Sequence, residues 1–139
     1  MMRMADAWVR GTHPWCGWIR LVLLPAMLAP IWFGAMWGGM VIMTVWMMLP
    51  MLFPKPAGGS RWMTRACLGV QIWRSRPLGD PVGLLLVILS VGIIALAMLF
   101  AGRQDGLWLA VCVVCHVSLY VIFLTRCASS FDDRMRHGP

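Results

Sequence analysis

The chain has 139 residues, of which 60% are hydrophobic and only 12% charged, and it contains no Glu, whereas soluble domains carry roughly a quarter charged residues. This excludes an ordinary water-soluble domain and points to an integral membrane protein. Twelve Lys and Arg stand against five Asp; whether that excess addresses nucleic acid, anionic lipid or membrane topology is decided by where the basic residues fall.

Three charge-free runs, 21–53, 82–101 and 106–125, are long enough to cross a hydrocarbon core that takes about 20 helical residues. The first would extend about 50 Å as one helix at ~1.5 Å per residue, too long for a single span, so it folds back on itself. Pro14 suits a first helical position, which predicts helices over 14–33 and 35–53 with a turn near Gly34. Arg20 then lies about two turns inside one end, where its long side chain can snorkel to the headgroups. The basic residues ahead of this run resemble a signal peptide, but no small-residue cleavage site ends it, and it reads as a span.

The second connection, 54–81, opens with "PKPAGGS", in which Ser60 is a candidate cap for a helix over 61–75. On a helical wheel Trp62, Met63, Ala66, Cys67, Gly69, Val70 and Trp73 share a face, with Arg61, Arg65, Gln71, Arg74 and Arg76 mostly opposite. That is an amphipathic helix lying on the membrane surface, its arginines toward lipid phosphates. Leu68 and Ile72 fall among the arginines, as they would if a partner covered part of the helix.

Asp80 and Pro81 read as N-cap and first residue of a third span over 82–101. Gly102 to Asp105 form a short loop, Asp105 opens a fourth span over 106–125, and 126–139 reads as a flexible tail. With both termini in the cytoplasm, eleven of the twelve basic residues fall on the cytoplasmic side and only Arg103 outside, as the positive-inside rule requires. A three-span arrangement would separate the N- and C-terminal arginines. Trp15, Trp18, Trp62 and Trp73 line the inner interface, Trp32, Trp37 and Trp108 the outer, and Trp46 alone lies deep. The expected architecture is thus all-α, one integral membrane domain over 1–139 with four spans and an interfacial helix, in contact with membrane lipids and needing no nucleic acid to explain its charge.

The segments "HPWCGWIR", "LFPKP" and "WMTRACLGVQIW" resemble a family of small uncharacterised bacterial membrane proteins. Its pattern reads His-Ala-Asn-Pro-Trp-Ser-x-Trp-x-Arg, then Leu-Phe-Pro-Pro-Pro, then Trp-Ala-Ser-Arg-Gly-Val-Leu-Gly-Glu-Arg-Val-Trp. Pro14, Trp15, Trp18, Arg20, Pro54, Trp62, Arg65, Leu68, Gly69 and Trp73 fall in the same order and spacing, over roughly the first half of the chain. The resemblance implies a multi-pass protein of the bacterial inner (cytoplasmic) membrane and brings no activity with it. Gly11, His13 and Val70 replace the family's His, Asn and Glu, which implies that any chemistry of those residues is lost here while the Trp, Pro and Gly framework is kept.

The segment "VCVVCH" at 111–116 contains Cys-x-x-Cys-His, the covalent attachment motif of c-type haem, but it sits inside an unbroken apolar span where attachment is not feasible. At helical spacing Cys112, His116 and Tyr120 share a face with Cys115 beside them. An ionisable residue at membrane depth is a functional candidate, and three readings stay open. His116 hydrogen-bonds a neighbouring helix; or it ligates the iron or magnesium of a haem or bacteriochlorophyll; or Cys112, Cys115 and His116 hold a soft metal such as zinc or copper(I). Met36, Met40, Met43, Met47 and Met51 follow at steps of four, three, four and four along one face of the second span, as a packing surface or a copper relay. Cys16, Cys67 and Cys127 face a reducing compartment and form no disulfide framework.

All five Asp lie outside the spans, and no phosphate loop or catalytic triad is present, so no enzyme and no resident cofactor is expected. The favoured reading is an accessory or assembly subunit of a larger membrane complex, photosynthetic or respiratory, acting through helix packing with other integral membrane subunits. Trp15, Trp18, Arg20, Trp62, Arg65, Leu68, Trp73, Met36, Met40, Met43 and Met47 are its candidate partner and lipid contacts. The alternatives are a small transporter or metal handler using the Cys, His and Met constellation, and a haem- or bacteriochlorophyll-binding subunit using His116.

Overall fold

A computed structural model of the chain describes residues 10–54, 61–75 and 77–137. Ser60, the candidate cap, lies outside the described residues. Among those described, all regular structure is helical, in the order α1 (Pro14–Ala26), α2 (Leu28–Trp32), α3 (Met36–Leu52), α4 (Trp62–Ser75), a 3-10 turn (Pro77–Gly79), α5 (Pro81–Gly102) and α6 (Gly106–His137). Three helical runs, Pro14–Trp32, Pro81–Gly102 and Gly106–Arg136, are long and apolar enough to cross a membrane, and α3 is a shorter apolar helix.

The single helix expected over 14–33 is broken at Met27, between α1 and α2. Pro25 and Pro30 explain the break, because each lacks the N–H that would continue the ladder. The turn near Gly34 is present, and its geometry recurs 70 residues later. At the first turn Gly34 N donates to the Ile31 carbonyl and Ala35 N to that of Pro30; at the second Gln104 N donates to Ala101 and Asp105 N to Phe100. Both are Schellman closures, which satisfy the last carbonyls of a helix and place the following residue in the left-handed region. That residue is Gly34 at φ 74° in one and Gln104 at φ 56° in the other. Glycine fills the position without steric penalty. Gln104 does not, but its side-chain amide donates to the Trp32 carbonyl at 3.3 Å and ties the two turns together at one end of the bundle.

Charged contacts gather at the opposite end. Asp80 caps α5 by accepting from Gly83 N at 3.1 Å, with Pro81 in the first helical position as expected. Arg126 donates to both Asp80 oxygens, from Nη2 at 2.8 Å and Nε at 3.1 Å, and Arg65 Nη1 donates to Asp132 at 2.9 Å.

The flexible tail expected over 126–139 is not what forms. The fourth span continues as one 32-residue helix to His137, about 48 Å at ~1.5 Å per residue, so its last three turns project beyond a core of roughly 30 Å. What holds them helical is α4, which packs along them: Met63, Ala66, Leu124 and Ala128 form one buried cluster, with Trp62, Val70 and Tyr120 against it. The amphipathic helix therefore turns its apolar side to the chain's own last helix, and Leu68 and Ile72 on its flank are half-buried. Gly69 makes this possible, since a Cβ there would fall on the Cys127 carbonyl.

Gly69→Ala is expected to force α4 off α6 at a cost of about 1–3 kcal/mol, seen as a melting temperature several degrees lower in detergent. Gly92→Ala, where a Cβ meets nothing within 4 Å, should leave the melting temperature unchanged. The Arg126 guanidinium holds the Asp80 carboxyl below the ordinary aspartate range of about 3.9. A carboxyl lowered on folding adds stability above its unfolded value and loses it as pH falls through its folded one. The melting-temperature gap between the native chain and Asp80→Asn, whose amide oxygen still caps α5, should hold constant from about pH 8 to 5 and close below about pH 4.

Candidate functional site

His116 lies on the face of α6 turned toward α5, and it is 4% exposed. Its Nδ1 is 2.9 Å from Ser90 Oγ and 3.1 Å from the Ser90 carbonyl oxygen. A carbonyl only accepts, so a proton on Nδ1 satisfies both contacts and leaves Nε2 unprotonated. The Tyr120 ring stacks one turn below at 6.2 Å. Of the three readings open for His116, these distances describe the hydrogen bond between helices. The serine was legible: it is the one hydroxyl in the apolar run 82–101, 14 residues before Gln104, and His116 is 12 after it, so the two reach the same depth.

Cys112 packs in the core with Leu28 and Ala97, whereas Cys115 is exposed on another side of α6. The two thiols and His116 therefore do not converge, and among the described residues no group of three His, Cys, Asp or Glu side chains is placed to hold a metal ion. A tetrapyrrole fits no better, because a macrocycle needs open area around the ligating nitrogen and this imidazole is covered. The remaining thiols are no more reactive: Cys16, Cys67 and Cys127 are all unpaired, and burial pushes the Cys67 thiol up to about 11, away from the thiolate that nucleophilic or metal chemistry requires.

Arg20 takes a different route from simple snorkelling. Its guanidinium carbon lies 4.7 Å from the Trp46 ring centroid, so the deep tryptophan is the partner of the deep arginine, a cation–π contact. The same depth rule applies: Arg20 is 14 residues before Gly34 and Trp46 is 12 after it. Each helical hairpin thus pairs its interior polar residue with one across the turn.

The methionine face points outward. Met36 is 73% exposed, Met43 43%, and Met40, Met47 and Met51 fall between, while the buried residues of α3 are Gly39 and Leu49. Those methionines form no interior relay; they line the outside of the molecule.

At the charged end, the starts of α1 and α4 meet. Trp18 and Trp62 lie 6.0 Å apart, and with Pro14, Trp15, Arg61 and Met63 they line a cavity of about 420 Å³. Four of the positions that carry the family resemblance, Pro14, Trp15, Trp18 and Trp62, thereby come together although half of them are nearly fifty residues from the rest. Arg65 is drawn away to Asp132, and Trp73 stands edge-on to Phe123 at 5.1 Å. Compared with family models, curated proteins and solved structures, the chain matches none.

Removing the hydroxyl in Ser90→Ala leaves only the backbone contact for a buried imidazole, and is expected to cost about 1 kcal/mol. His116→Leu should cost no more than that, and the double variant should be less destabilised than the sum of the two. Guanidinium or thermal unfolding in detergent, read as a double-mutant cycle, measures the coupling.

Proposed function

We propose that the protein is a non-catalytic accessory subunit of a larger membrane complex, crossing the bacterial inner membrane four times with both ends in the cytoplasm. The observation that carries this reading is the methionine face of α3. Met36, Met40, Met43, Met47 and Met51 are exposed together, on the helix that packs only against α1 and α2 at the side of the bundle. Methionine is flexible and polarisable and accommodates irregular helix surfaces, and helices in lipid associate by such packing rather than by hydrophobic exclusion.

The charge distribution supports the orientation. Arg103 is the one basic residue at the end where the two short turns meet, and the described arginines at the other end obey the positive-inside rule if that end is cytoplasmic. With α3 as a span, a 17-residue helix is at the short limit for crossing, and contact with a neighbouring subunit would relieve the mismatch.

A photo-crosslinking amino acid placed at Met40 or Met47 in the protein's own membrane should yield a discrete adduct with another polypeptide, identifiable by mass spectrometry and accompanied by co-purification in mild detergent. Adducts with lipid alone, together with a protomer that purifies alone in native mass spectrometry, would overturn the subunit reading.

A further inference from the structure

The cavity between α1 and α4 has a chemistry distinct from the methionine face. Its walls are the indoles of Trp15, Trp18 and Trp62 with Pro14, Met63 closes one side and is almost fully buried, and Arg61 is the charged group on its lining. No carboxylate lines it. Arg61 is exposed and has no acidic partner among the described residues, whereas Arg65 and Arg126 are each neutralised by an aspartate.

Two further observations bear on the sign of a ligand. α1 and α4 both begin at the cavity, neither carries an acidic residue in its first turn, and His13 at the start of α1 makes no side-chain cap. The positive ends of both helices and the Arg61 guanidinium therefore act at one place without a countercharge from the protein. The volume, about 420 Å³, is in the range of small-ligand pockets.

An anion alone would not call for three indoles, and a purely apolar ligand would not call for an unpaired arginine. Trp is the side chain favoured at the headgroup level of a bilayer, and the charged end of the bundle is where that level falls. We propose that this cavity is a binding site for one anionic phospholipid, its phosphate on Arg61 and the upper part of its glycerol and acyl region against Trp15, Trp18 and Trp62. The site is built from the two segments that resemble each other's counterparts in the bacterial family, but rests only on their meeting in this fold.

The test uses the full-length protein in phosphatidylcholine vesicles to which phosphatidylglycerol with brominated acyl chains is added, reading quenching of tryptophan fluorescence. Saturable quenching at low mole fraction, stronger than with brominated phosphatidylcholine, is expected. Arg61→Gln should weaken apparent affinity for phosphatidylglycerol about tenfold, with size-exclusion elution unchanged, and Trp18→Ala should reduce the quenching amplitude. Arg134→Gln, an exposed arginine on the same end but away from the cavity, should change neither. Equal quenching by both lipids, or an equal loss of affinity in Arg134→Gln, would show only diffuse attraction to a charged surface and overturn the site. Displacement of the lipid by millimolar inorganic phosphate would show a site for phosphate itself and overturn the assignment to lipid.

Discussion

The arrangement depends on how closely α4 can approach α6. Gly69 lies against the carbonyl of Cys127 with no room for a Cβ, and this contact sits in the part of α6 that projects past the hydrocarbon core. Without it, the last turns of α6 would be a charged helix with nothing to pack on, since isolated helices of that length are marginal in water. With it, Cys127 and Ala128 are buried, Arg65 reaches Asp132, and α4 is positioned so that Trp62 meets Trp18 from α1. The cavity at the charged end is therefore a consequence of a backbone contact two turns of helix away.

Within the spans a different constraint operates. Hydrocarbon offers no hydrogen-bond partner, so every polar group at depth must find one in the protein. Thr44, Ser118 and Thr125 satisfy this alone, each donating to the carbonyl four residues earlier at 2.8 to 2.9 Å. Arg20 and His116 cannot, and both are paired across a tight hairpin, with Trp46 and with Ser90. The two hairpins share the same turn closure and the same 14-and-12 spacing around it. That spacing follows from geometry: two antiparallel helices closed by the same turn bring residues equally far from it to the same level.

The sequence was informative where a single physical rule decided the outcome. Charge-free length and punctuation by Pro81, Asp80 and Gly34 mark the helices to within a few residues, and the Asp80 cap and the turn at 102–105 form as those residues indicate. The break at Met27 was visible in Pro25 and Pro30, but spans tolerate proline and the apolar run masked it. The helical continuation to His137 was hidden because "RCASSFDDRMRH" has too little apolar surface to read as a stable helix by itself. Its signal is the stripe Tyr120, Leu124, Cys127, Ala128 and Phe131, which acquires meaning only with α4 beside it. The gathering of Pro14, Trp15, Trp18 and Trp62 could not be read at all, because spacing along the chain does not say which helix ends become neighbours.

The distribution of polar groups bears on what kind of work the molecule is built for. A pathway for ions or protons through a bundle needs polar side chains whose partners can be exchanged for the passing species. Here the imidazole of His116 is held by two contacts from one residue, the guanidinium of Arg20 lies over an aromatic ring, and the span hydroxyls are closed onto their own helices. Polar groups at depth are thus tied up in holding neighbouring helices at a fixed level, which favours a scaffold over a conduit. What the fold leaves open lies at its surfaces: a flexible methionine face along α3 and an aromatic cavity with one unneutralised arginine where two helices begin. Both are features that gain partners from outside the chain, and they address different ones, since the first has shape without charge and the second joins charge to an apolar wall.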